Sequence, residues 1–205
     1  MRTPSTIGLV IFLVALLLCG CNKAGTPGQG PLISSPEDLH PTALQLKRAK
    51  LTAGGTSIDS TLTTSSDGQR YFIDSFVDGT RMEREIYQNG DRSFDILGAT
   101  GEVFEPPIPL IKYGMHVGDT WTWKGSTSIV EGKSQPAKAT ISSAADDLWL
   151  NNALMHDVVK VEVTLQLDSG TDQPALRKMQ FWFVKDKGIV KRAFGAALIR
   201  EPAED

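Results

Sequence analysis

The sequence predicts an antiparallel β fold: a single, strongly curved sheet, closed as a barrel or open as a half barrel, with little helix. Three observations carry this. Val159, Val161, Val163, Leu165 and Leu167 alternate with Lys160, Glu162, Thr164, Gln166 and Asp168, and strict period two puts the two sets on opposite faces of a half-buried strand. Turn signals at Gly54-Gly55, Asp67-Gly68, Asp78-Gly79, Asn89-Gly90 and Asp186-Lys187-Gly188 separate apolar runs along most of the chain. Asn, Asp and Gly tolerate the positive φ that a tight hairpin needs. Only residues 144–155 carry a weak helix-like crowding, with Leu148, Trp149 and Leu150 together and Asn151-Asn152 breaking the pattern. About nine to eleven strands result, and a sheet of that size must curl or split to hide its edges.

Taken in order, strands are expected at 44–51, 56–64, 70–77, 80–87 and 92–97, each bounded by the turns above. Pro106, Pro107 and Pro109 then remove three N–H donors from five residues. Residues 106–110 are therefore expected to cross outside the sheet or run along its rim. Trp121 and Trp123 share one face of a strand reaching about residue 130, and 137–143 returns beside it across Gly132. The alternating strand at 159–168 is followed by 176–185, with Met179, Phe181 and Phe183 on one face and Gln180, Trp182 and Val184 on the other. A closing strand spans 189–198, with Gly195 as a bulge or bend.

The start of the chain is of a different kind. Arg2 precedes an apolar stretch at 7–18, which at about 12 residues is too short to span a bilayer of roughly 30 Å. It ends in Leu18-Cys19-Gly20-Cys21, which resembles the cleavage and acylation box of bacterial lipoproteins: an aliphatic residue three before the acceptor, a small residue just before it, and the acceptor Cys21. Cys19 fits the acceptor role less well, because Leu18 before it is bulky. An ordinary secretory signal cut elsewhere is the alternative. The resemblance implies signal peptide 1–20 and palmitate-type acylation at Cys21, so that the lipid bilayer is a partner. Two or more acyl chains hold a protein firmly where one does not. Asn22 follows the acceptor in place of an Asp, so outer-membrane sorting, facing the periplasm, is implied if the host is Gram-negative.

Residues 21–43 hold Gly25, Gly28, Gly30, Pro27, Pro31, Pro36 and Pro41 and are expected to be a flexible tether, with a root-mean-square reach of about 25 Å. A short helix begun by Ser35 and Pro36 is the alternative there. The β domain then occupies 44–200 and a tail 201–205. The whole chain carries a formal charge of −3, and loss of 1–20 takes away Arg2 alone. An acidic domain without a basic stripe excludes nucleic acid as partner. Both cysteines lie in the signal region, so no disulfide framework and no thiol chemistry are expected.

A second resemblance rests on Pro107-Ile108-Pro109-Leu110, Gly118-Asp119-Thr120-Trp121, Phe181-Trp182-Phe183-Val184 and Gly188-Ile189-Val190-Lys191. These runs are similar to those of envelope lipoproteins of unknown function, whose domains resemble the half barrel of the lipoprotein-sorting proteins LolA and LolB. The resemblance implies a concave apolar face that holds an acyl chain or peptide. It carries over no catalytic residue.

Chemistry-bearing motifs are otherwise sparse. His40, His116 and His156 stand alone, without the spacing that puts two ligands on one face, so no metal site is expected. Neither Gly-x-Ser-x-Gly nor Ser-x-x-Lys occurs. No catalytic residue and no cofactor is expected. Trp121, Trp123, Trp182 and Tyr113 are the candidate groove residues, with core packing as the competing role. Trp182 interrupts the polar half of its strand, so it must be covered by the 106–114 segment or exposed to a partner. The functional expectation is a non-enzymatic, membrane-anchored envelope lipoprotein that binds an apolar ligand or an envelope protein through its curved sheet. A structural subunit pairing through a sheet edge is the alternative, and a polymer hydrolase ranks third.

Overall fold

A computed structural model describes residues 33–39, 47–129, 132–150, 152–168, 170, 174–196 and 198–203. The expected signal peptide and Cys21 lie outside these residues. Twelve strands form one closed antiparallel barrel: β1 (Arg48–Ala53), β2 (Thr56–Ser66), β3 (Arg70–Val77), β4 (Thr80–Asn89), β5 (Ser93–Ala99), β6 (Glu102–Lys112), β7 (Thr120–Ile129), β8 (Gln135–Leu150), β9 (Ala153–Leu167), β10 (Ala175–Val184), β11 (Gly188–Phe194) and β12 (Leu198–Pro202). Every strand pairs with its sequence neighbours, and β1 pairs with β12 from Ala49↔Pro202 to Ala53↔Leu198. Of the two shapes left open by the sequence, the closed barrel forms and the half barrel does not. Gly195 (φ +65) turns the chain between β11 and β12 rather than bending one long strand, and this extra turn supplies the closing strand.

Alternation decides which side of the wall each residue takes. Val159, Val161, Val163 and Leu165 of β9 join Met179, Phe181 and Phe183 of β10 in one continuous interior core, with Tyr87, Phe94, Ile96, Phe104, Ile108 and Ile141. The outward positions carry charge, as in the pairs Lys178–Glu162 and Arg84–Asp74. The tight turns at Gly54-Gly55 and Asp78-Gly79 have positive φ at both residues, as their sequences demand. Asn89-Gly90 does not make that turn. Asn89 ends β4, its side chain is engaged elsewhere, and the N–H of Gly90 donates to the carbonyl of Ser93.

Three expectations are corrected. Residues 106–110 lie within β6 instead of crossing outside the sheet, because the missing donors fall where β6 has no ladder partner on one side. β6 pairs with β7 only from Glu102↔Ile129 to Glu105↔Ser126, while its remaining length pairs with β5. Residues 144–155 are not helical; they are the end of the long β8–β9 hairpin, paired from Asp146↔Val158 to Leu150↔Ala153 with Asn152 (φ 60) in the turn. The expected tether is not uniform either: residues 33–39 pack onto the barrel, with Ile33 and Leu39 fully buried in the interior core. Residues 21–32 and 40–43 lie outside the described residues.

The packed segment closes one end of the barrel. Pro36–Asp38 make a single 3-10 turn, held by the Asp38 carboxylate, which accepts from the Ser34 N–H (2.7 Å), the Ser34 hydroxyl (2.9 Å) and the Ser35 N–H (3.3 Å). The segment docks on three loops. Asn89 Nδ2 donates to the carbonyls of Pro36 and Leu39, the Gly114 N–H to that of Ile33, and the Asp186 N–H to that of Asp38.

Candidate functional site

Four interior charges cross the lumen near the end opposite this plug. Glu83, Glu85 and Tyr87 take alternate, inward positions on β4, while Arg192 of β11 and Arg200 of β12 reach them from the far wall. Arg200 is bidentate on Glu85 (2.7 and 2.9 Å), Arg192 Nε donates to the same carboxylate (2.9 Å), and Arg192 also pairs with Glu83. The Tyr87 hydroxyl adds a third donor to Glu85 at 2.6 Å. Glu85, Arg192, Arg200 and Tyr87 are all wholly buried.

Burial comes first in shifting these groups. It pushes the Tyr87 hydroxyl well above its ordinary range, with the Glu85 charge adding to this. Burial, then the Arg200 charge, pulls the Arg192 guanidinium down. For Arg200, burial is outweighed by Glu85, and the group is held above its ordinary value. Two acids against two bases balance the formal charge, and a balanced cluster with short bonds is how a protein tolerates ions away from water. A second bridge joins β10 to β6, where Arg177 is bidentate on Glu102 (2.6 Å each) and the Thr127 hydroxyl also donates to Glu102. Both bridges span the lumen and brace opposite walls.

Trp121 and Trp123 are brought together, but as parts of the wall. They are 8% and 7% exposed, and both belong to the interior core. Their indole N–H groups donate to the carbonyls of Pro109 (2.8 Å) and Pro106 (3.0 Å). Where the prolines end the β6–β7 ladder, side-chain donors thus replace backbone donors and close the seam. Gly125 lets the strands approach here: a Cβ would meet the Glu105 carbonyl oxygen at 2.4 Å and Trp123 at 2.5 Å.

Trp182 lies on the outer face of β10, away from Trp121 and Trp123. It is 8% exposed, covered by the β8–β9 hairpin rather than by the 106–114 segment. Its N–H donates to Asp146 (2.8 Å), Lys160 and Lys191 lie over its ring at 5.1 and 5.3 Å, and Leu150, Val158 and Val190 pack around it. Tyr113 is half-buried at the plugged end, where its hydroxyl donates to Asn89 Oδ1 while Asn89 holds the plug. Burial, helped by Asp95, raises its pKa. The four candidates therefore divide among seam, outer cluster and plug, and form no common groove.

The sequence reading passed over Glu83, Glu85, Arg192 and Arg200, although Glu83-x-Glu85-x-Tyr87 repeats at the strand period and so had to share one face. It also misplaced Trp149, which is 67% exposed and paired across the hairpin with Leu154 at 39%. A hollow of about 540 Å³ separates this tip from β12 and β1, lined by Lys50, Trp149, Lys191 and Pro202 among others. His156 pairs with Asp147 on the exposed hairpin (3.1 Å), and His116 is exposed on the β6–β7 loop. Among the described residues no cluster of His, Cys, Asp and Glu could hold a metal ion.

The fold defines a class: a closed, twelve-stranded, up-and-down barrel with an apolar core braced by buried ion pairs and an outer wall that is largely polar away from the Trp182 cluster. Barrels that cross membranes have an apolar outer band, the inverse of this arrangement. Among solved structures, the chain is similar to the hypothetical lipoprotein YmcC from Escherichia coli K12. The two share 13% identity over 80% of this chain and 88% of that one, at a TM-score of 0.44, too loose to transfer fold or function. No protein-family model and no curated protein matches the chain.

Proposed function

We propose that this is a bacterial envelope lipoprotein, anchored through acylated Cys21, whose barrel is a non-enzymatic binding module for another envelope component. The observation that carries the reading is the Leu18-Cys19-Gly20-Cys21 box behind a short apolar segment. A barrel with a polar outer wall suits a domain held in water beside a membrane. An envelope protein is favoured over an apolar ligand as partner, because the candidate groove tryptophans are engaged in wall and core. The edge-pairing alternative is disfavoured, since β1 and β12 pair with each other and the open stretch between β6 and β7 is covered by the Trp121 and Trp123 indoles.

Fractionation tests the anchor. Cys21→Ala is expected to leave an unprocessed precursor and to lose the acylated membrane form; normal processing with unchanged membrane association overturns the reading. Native mass spectrometry of the gently purified protein tests the partner class, since a retained lipid mass would favour the apolar ligand instead.

A further inference from the structure

We infer that the β8–β9 hairpin tip is a second membrane contact, resting Trp149 and Leu154 in the headgroup layer of a zwitterionic phospholipid surface. This rests on the anchoring of Cys21 proposed above. Beyond Ser143 the hairpin leaves the barrel wall: β8 pairs with β7 no further than Ser142, while Asp146 and Leu150 fold onto Trp182 and Val190 of the outer wall. One face of the tip is thereby buried. The other presents the cross-strand pair Trp149 and Leu154 as one apolar patch. Tryptophan with an apolar body and a polar N–H favours the boundary between lipid and water.

The position of the tip points to lipid as the occupant. The β8–β9 turn opens at the same end of the barrel as the β4–β5, β6–β7 and β10–β11 loops, which hold the plug at Ile33–Leu39. Only 11 residues lie between Cys21 and Ile33, a span of at most about 40 Å. The plugged end is thus held within about 40 Å of the anchoring surface, and the tip lies on the same side, across a hollow from Pro202 and Ala203 at the β12 end of that rim. Asp147 and Asp157 on the same hairpin are exposed, which favours an uncharged surface over an anionic one and keeps the contact at headgroup depth.

The chain supplies its own reporter, because Trp149 is the exposed one of four tryptophans and the others are 7–8% exposed. The full acylated protein is reconstituted in vesicles of phosphatidylcholine brominated near the headgroup end of its chains, floated, and its emission compared with that in unbrominated vesicles. The expected result is loss of the red-edge emission in brominated vesicles, with no such loss in the Trp149→Phe variant, whose fold is monitored by its melting curve. Floated protein whose Trp149 emission is unquenched by bromolipid and fully quenched by aqueous acrylamide overturns the tip contact while leaving the anchor intact. Acylated protein that fails to float with the vesicles overturns the anchor, and the tip contact with it.

Discussion

Replacing Glu85 by leucine tests the lumenal bridge directly. The carboxylate receives three donors, Arg192, Arg200 and Tyr87, and none of these groups can reach water. Its loss leaves two arginines facing only Glu83, an uncompensated buried charge. Breaking such a pair from one side costs about 3–5 kcal/mol. For a domain of this size 1 kcal/mol corresponds to roughly 2–4 °C, so the thermal midpoint is expected to fall by about 6–20 °C. Adding Arg200→Met to Glu85→Leu restores the balance, leaving Arg192 with Glu83. Removing both ions together can be close to neutral, so the double variant is expected to be more stable than Glu85→Leu alone. Circular dichroism melts and urea titrations read both quantities. A single variant within 1 kcal/mol of the parent, or a double variant whose losses simply add, would refute the pairing argument.

Two further outcomes follow from the plug and the seam. Asp38 is held down to about 2 by its bond from the Ser34 N–H, against burial and with help from Lys185. A depressed folded value means that its contribution is present above the unfolded value of 3.8 and is lost as pH falls toward about 2. Asp38→Asn is expected to speed hydrogen exchange in 33–39 at neutral pH, with the difference from the parent vanishing across that window; a pH-independent difference contradicts the assignment. Gly125→Ala is expected to cost about 1–3 kcal/mol, because the added methyl meets backbone and the Trp123 ring. An unchanged urea midpoint would show the seam to be looser than described.

Strand faces were readable where a period was long and one-sided. The β9 and β10 alternations place Val163 and Phe181 inside and Trp182 outside, as the structure has them. The reading failed where a local rule met a tertiary one. Proline argues against a strand interior only when its missing donor has a ladder partner, and pairing registers between distant segments are not written in either segment alone. The same holds for the lumenal ions. Nothing near Glu85 in sequence announces Arg200, because their contact exists only once the barrel has closed. Ile33 and Leu39 were submerged in a Pro- and Gly-rich composition, although two apolar residues around one capped turn suffice to stopper an apolar rim. The tryptophans stand out in the sequence, but an indole N–H committed to a carbonyl, as for Trp121 and Trp123, is not written in the local sequence.

Closure through β1 and β12 makes the sheet's integrity a property of the whole chain. Eleven of its twelve ladders join sequence neighbours, and the last joins strands from opposite ends of the folded region, where the entropy of bringing distant segments together must be met. A zipper of local hairpins can therefore assemble early, while each intermediate still shows two raw edges to its surroundings. A chain cut short before residue 198 would display Gly188–Phe194 and Arg48–Ala53 as sticky borders. Synthesis thus presents an aggregation hazard that ends only when the final five-residue strand docks, and that strand is the place where a small truncation would do disproportionate harm.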